Sequence, residues 1–246
     1  MTASLPRRLA AEFVGTAFLV AAVVGSGIMA DRLSNGNVAL ALLANTIATG
    51  AALVALILTF GRISGAHFNP AVTLADTMEG GLRWAQGSGY IGAQILGGVT
   101  GTVMAHLMFG LQPISISHHP RSGPAQLLSE FVATFGLLSV IWGCSRLQSI
   151  AVPFAVGAYI TAAYWFTAST SFANPAVTIA RSLSDTFAGI RPIDVPLFIA
   201  AQLLGAMAAT VLFRWLTPNL PRDAKNVLLA HDGEMSHVKV SGSLLP

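Results

Sequence analysis

Two copies of the triplet Asn-Pro-Ala stand in the chain, Asn69-Pro70-Ala71 and Asn174-Pro175-Ala176, and each continues Val-Thr. Asparagine is a preferred helix N-cap, proline fits the first helical position and alanine propagates the helix, so either copy alone would be an ordinary helix start. Both copies fall in short apolar stretches, about His67 to Ala75 and Phe172 to Ala180, each interrupted by proline. Stretches of that length cannot cross a bilayer and are expected to enter it and turn back. Two such half-helices meeting end to end would aim their positive ends at one spot, where the asparagine amides present N–H donors. That site repels cations and protons and favours neutral hydrogen-bonding molecules. The residues ahead of the triplets, Gly65-Ala66-His67-Phe68 and Ser171-Phe172-Ala173, must then be non-helical, with their carbonyls lining a water-filled path against an apolar opposite wall.

Few other residues offer chemistry. Glu12 and Glu130 are acids inside apolar stretches, costly without partners, and a proton relay competes there with a structural role. His67 has Phe172 at the matching position of the second triplet, so no symmetric metal ligand exists and carbonyl lining is expected of it. His118 and His119 are adjacent in a polar loop with Pro113, Pro120 and Pro124; they are expected to be solvated, with no acidic neighbour, and His106 has no partner visible in the sequence. Cys144 is the single cysteine, which excludes an intrachain disulfide and a cysteine-based metal site. No nucleophile and base pair, ligand cluster or phosphate-binding glycine loop is visible, so the expectation is no enzyme, no metal and no cofactor.

The elements that must carry the triplets follow from composition. Of 246 residues, 54% are hydrophobic and 9% charged, against about 25% charged in soluble domains, and the mean hydropathy is +0.68. Apolar spans run from about Leu9 to Met29, Val38 to Phe60, Trp84 to Gln112, Ala125 to Cys144, Ile150 to Phe166 and Pro196 to Trp215. The first follows Arg7 and Arg8 with signal-peptide polarity but is longer than an h-region, so a membrane helix is expected. Six crossings return both ends to one side, whose segments carry nine Lys and Arg against four on the other. The positive-inside rule then puts both termini in the cytoplasm. The net charge of +3 comes without a basic run, so no nucleic-acid partner is implied.

An internal repeat fixes the plan. Ala11 to Thr16 matches Ser129 to Thr134, Asn69 to Ala75 matches Asn174 to Ala180, and Tyr90 to Thr102 matches Phe198 to Thr210. With three crossings per half, the second half is inverted relative to the first. The expectation is an all-α membrane protein of six transmembrane helices and two re-entrant half-helices. Its channel domain covers residues 1–216, with repeats at about 8–112 and 125–216, and a polar cytoplasmic tail covers 217–246. Gly97, Gly98, Gly101, Gly205 and Ala209 are small residues suited to close helix packing.

The paired triplets, Ile63 to Phe68 ahead of the first, Glu12 and Glu130 opening the halves, and Gln94 and Gln202 in corresponding helices resemble the aquaporin and aquaglyceroporin family over residues 8–216. Half-helix dipoles that exclude protons and cations are a known device of such pores. The resemblance implies homotetramers with one pore per protomer, a lipid bilayer setting and anchoring of the re-entrant loops by Glu12 and Glu130. In that family an arginine usually follows the second triplet and forms the outer constriction with an aromatic; here the position is Val177. Thr49 stands where the filter aromatic would be, and Tyr164 and Ser171 complete the expected ring, which is wide and uncharged. Arg181, four residues after Val177, lies about 6 Å farther out and is expected to guard the vestibule at most, outside that ring.

Passive passage of small neutral solutes is therefore expected: water, glycerol-like polyols, and neutral metalloid species such as arsenite and methylated arsenicals, which are linked to bacterial members lacking the filter arginine. The expected location is a bacterial inner membrane. A coupled secondary transporter shares inverted repeats and broken helices, but the spans hold no acids besides Glu12 and Glu130. An anion-leaky channel is the third class, since converging positive dipoles oppose cations only.

Overall fold

The computed structural model describes residues 3–147 and 149–217. Eight α-helices make up the described chain: α1 (Leu5–Leu33), α2 (Val38–Ser64), α3 (Pro70–Met78), α4 (Trp84–Met108), α5 (Pro124–Leu147), α6 (Val152–Phe166), α7 (Pro175–Arg181) and α8 (Val195–Leu216). Among the described residues there is no strand. Five helices, α1, α2, α4, α5 and α8, are long and apolar enough to cross a membrane. The expected sixth crossing is α6, only 15 residues long, or about 22 Å at 1.5 Å per residue. A 3₁₀ turn at Ser149–Ala151 precedes it, Pro153 sits at its start, and its last turn closes at Thr167. The third crossing also stops short of Gln112, because the chain turns at Gly110 with φ of +68°.

Packing follows the repeat. α1 lies along α4 and α5 along α8, while α2 and α6 join the halves. The close pairs depend on glycine: a Cβ at Gly97 would fall on the Phe13 carbonyl, and one at Gly205 on the Phe131 carbonyl, the equivalent contact in the second half. A side chain at either position would push the helices apart. Large apolar side chains such as Phe18, Leu96, Leu128 and Val211 remain exposed on the outer surface, as suits helices facing lipid. The tail expected at 217–246 lies outside the described residues except for Thr217.

Candidate pore at the paired Asn-Pro-Ala turns

Each triplet starts a half-helix by the expected capping chemistry. Asn69 accepts from the Ala71 backbone N–H (2.9 Å), and Asn174 accepts from those of Ala176 (3.0 Å) and Val177 (3.3 Å). The other end of each side chain crosses to the opposite half. Asn69 Nδ2 donates to the Ala173 carbonyl at 2.7 Å and Asn174 Nδ2 to the Phe68 carbonyl at 2.8 Å. The N-termini of α3 and α7 are thereby tied together, and each amide keeps a second N–H. Pro70, Ala71, Pro175 and Ala176 are buried in the first turns and act through the backbone.

The loops ahead of the caps are bent in an unusual way. Ala66 and Phe68 in the first, and Thr170, Ser171 and Ala173 in the second, have φ between 49° and 61°, and Gly65 ends α2 at φ of 93°. Non-glycine residues held there cost on the order of 1–3 kcal/mol each. Two carboxylates oppose that cost. Glu12 accepts from Ser64 Oγ (2.6 Å), His67 N–H (3.0 Å), Phe68 N–H (2.8 Å) and Gln94 Nε2 (2.8 Å). Glu130 accepts from Phe172 N–H (2.9 Å), Ala173 N–H (2.9 Å) and Gln202 Nε2 (2.6 Å). Gln94 and Gln202 also donate to Thr73 and Thr178 of the half-helices, each at 2.8 Å. Bonds to a charged acceptor contribute about 1.5–3 kcal/mol each, enough to hold the left-handed turns.

A cavity runs past the two loops and their asparagine caps. It is lined by Gly65, Ala66, His67, Phe68 and Asn69 from the first loop and by Ser171, Phe172, Ala173, Asn174 and Val177 from the second. Opposite them stand Leu19, Val23, Leu53, Leu137, Ile141 and Val156. Its volume is about 80 Å³. A wall of polar backbone and amide groups facing an apolar wall lets a solute keep hydrogen bonds on one side only.

Thr49, Tyr164, Ser171 and Val177 all line this cavity. Thr49 Oγ1 lies 3.2 Å from the Tyr164 hydroxyl, so a polar bridge joins α2 to α6 at the cavity wall. Ser171 Oγ is buried without a partner among the described residues. Arg181 lines the same cavity and is 2% exposed, because its guanidinium folds onto the Phe172 ring and its Nε–H donates to the Ala188 carbonyl. The spacing from Val177 was readable, but the Phe172 and Ala188 seat has no signature in sequence.

Two histidine expectations are corrected. His118 does have an acidic neighbour, since its backbone N–H and Nδ1 lie 2.9 and 3.1 Å from the Asp185 carboxylate. These bonds, the backbone one foremost, hold the Asp185 carboxyl below its ordinary range. His106 is also partnered, with Nδ1 2.9 Å from the Gln112 carbonyl and Nε2 2.8 Å from Ser184 Oγ. The Asp185 and Ser184 contacts close between segments far apart in sequence, while Gln112 is only six residues from His106. His67 Nδ1 sits 3.0 Å from Thr73 Oγ1 and its ring packs on Tyr90. Among the described residues no group of three His, Cys, Asp or Glu is gathered as a metal site would need.

Residues 1–148 and 143–242 each match the family described as Major intrinsic protein. The chain belongs to that family. An aquaglyceroporin, AqpS of Rhizobium meliloti, is 58% identical over 212 residues, 86% of this chain and 91% of the relative. A probable aquaporin, AqpM of Archaeoglobus fulgidus, is 30% identical over 245 residues, 88% and 99% of the two chains. The X-ray structure of the aquaglyceroporin from Plasmodium falciparum aligns with a TM-score of 0.68 at 21% identity, covering 88% of this chain and 99% of that one, and supports the fold. As a major intrinsic protein the chain is an integral membrane channel protein, and the two matched segments meet between its halves.

Proposed function

We propose that the chain forms a passive pore for small neutral solutes, water and glycerol-like polyols first among them. The observation that carries this reading is the reciprocal pair of bonds from Asn69 to Ala173 and from Asn174 to Phe68, made inside the cavity. It leaves two amide donors and two positive helix ends for a passing oxygen, and those same helix ends disfavour a cation. Thr49, Tyr164, Ser171 and Val177 form the outer constriction, the carbonyls of Gly65 to Phe68 and of Phe172 and Ala173 line the path, and Glu12 and Glu130 anchor the loops. Metalloid hydroxides are uncharged, rich in hydroxyls and compatible with that ring. Catalysis has no place in this reading, which moves solute without changing it.

The channel domain covers residues 1–216 as two inverted repeats, about 8–112 and 125–216, in a bacterial inner membrane with both termini cytoplasmic. Exposed apolar helix faces suit four protomers as well as lipid, and detergent-corrected light scattering should report a homotetramer. The deciding experiment is liposome swelling with water, glycerol, urea and arsenite. Flux linear in gradient and insensitive to ionophores is expected; ionophore-sensitive flux would point to coupled transport instead.

A further inference from the structure

Asn69 and Asn174 open the two half-helices, so Asp76 in α3 and Arg181 at the end of α7 are repeat equivalents, each seven residues on. They carry opposite charges and sit differently. Asp76 is buried near His67, with Oδ2 3.9 Å from Nε2, and is not among the cavity-lining residues. Arg181 lines the cavity. Its guanidinium carbon is 3.4 Å from the Phe172 ring centroid, and its Nε–H is spent on Ala188. Among the described residues, no acceptor meets its two terminal amino groups, and neither is one of the sealed, unpartnered nitrogens. The neighbouring Arg121 also lies over Phe172, at 4.9 Å, but its Nε and Nη1 donate to the carbonyls of Gly189 (2.8 Å) and Ser169 (3.1 Å), and it is not among the cavity-lining residues. One arginine braces the loop, and the other holds free donors toward the cavity.

We propose that Arg181 is the specificity-determining cation of the outer mouth, one helical turn beyond the uncharged ring of Thr49, Tyr164, Ser171 and Val177. The assignment rests on the cavity being the solute path. Phe172 and Ala188 fix the guanidinium plane, so its terminal N–H groups donate to the oxygens of an entering neutral solute without a large ordering cost. Its charge meets cations before the converging helix ends do. The fork lost at position 177 is thus supplied from position 181, with Val177 leaving the ring wider beneath it.

Urea and guanidinium are planar molecules of similar size that differ in charge, which makes their permeability ratio the readout. In liposomes holding the full chain, urea crosses and guanidinium stays at the protein-free background. Arg181→Gln is expected to lower the ratio at least tenfold, through a rise in guanidinium permeability above the protein-free background. An unchanged ratio overturns the assignment. Where that variant conducts no water, Arg181→Lys decides. The chain's own lysines are Lys225 and Lys239, so with both changed to arginine the new amine can be acetylated in the folded, reconstituted protein and compared with the parent carrying only those two changes. Guanidinium exclusion should persist before acetylation and fall at least tenfold after it. No reaction, or no change, overturns the assignment. Wild-type vesicles without urea or water flux above background would instead refute the channel reading beneath it.

Discussion

Changing Glu130 to Gln tests whether a buried carboxylate holds the outer re-entrant loop in shape. Glu130 Oε1 accepts from Phe172 N–H, and Oε2 accepts from Ala173 N–H and Gln202 Nε2. A glutamine has one acceptor oxygen. Turned toward Ala173 and Gln202, it keeps two bonds without charge assistance and aims an NH2 group at the Phe172 N–H. The loss is then one charged bond of about 1.5–3 kcal/mol, together with the burial of an unsatisfied donor at about 1–3 kcal/mol. Relief from burying a charge offsets part of this, leaving a net destabilisation of about 2–3 kcal/mol. That is comparable to the cost of one or two left-handed residues among Thr170, Ser171 and Ala173, so the loop relaxes and its carbonyls leave the cavity wall. Thermal unfolding in detergent should shift down by about 4–9 °C, and water flux at equal reconstituted density should fall at least tenfold. A folded, inserted variant with wild-type flux and an unshifted Tm would refute the anchoring argument.

Asn69→Asp or Asn174→Asp replaces a donor by an acceptor facing the Ala173 or Phe68 carbonyl. Neutral-solute flux should drop at least tenfold and cation leak should rise, and wild-type selectivity in either variant would show the cavity to be misassigned. Val177→Arg sets a second guanidinium about 6 Å along the half-helix from Arg181, a repulsion of about 3 kcal/mol at an effective dielectric of about 20; glycerol flux should fall more than water flux in swelling assays, and equal loss or no loss would remove position 177 from the constriction. The Asp185 carboxyl is held low by His118, so its contribution to the outer loops is complete above the ordinary carboxylate pKa of about 3.9 and is lost as pH falls below that value. Protection of the His118 amide, its exchange rate relative to the intrinsic rate at each pH, should hold down to about pH 5 and fall below about pH 4.

What sequence revealed and what it withheld divide along a physical line. The helix caps, the repeat and the pairing of Glu12 with Glu130 and Gln94 with Gln202 are legible because each depends on a residue type at a fixed place in a repeated pattern, and the second copy checks the first. Five of the crossings are legible from apolar length. The sixth is legible too, expected at Ile150 to Phe166 and found at Val152–Phe166, although at 15 residues it is shorter than the others. The partners of His106, His118 and Arg181 are illegible: Ser184, Asp185 and Ala188 come from the loop after α7, whose path is set by tertiary packing and not by any periodicity.

The two halves are most informative where they stop matching. Backbone anchoring is duplicated almost bond for bond: Glu12 and Glu130 take the two N–H groups ahead of each cap, and Ser64 and Ser169 take those of Ala66 and Ser171. That duplication is what a pore needs at its centre, where both helix ends must point at one place. The equivalences break farther out, at His67 against Phe172 and at Asp76 against Arg181. At the first end a histidine packs on Tyr90 with a buried acid near it, while at the other a phenylalanine ring carries two guanidiniums. A passive channel has no need of identical mouths, since direction is set by the gradient and selectivity requires only one barrier. Freed from the symmetry that the centre imposes, the Arg181 end is where this chain can place a charge without disturbing the anchors.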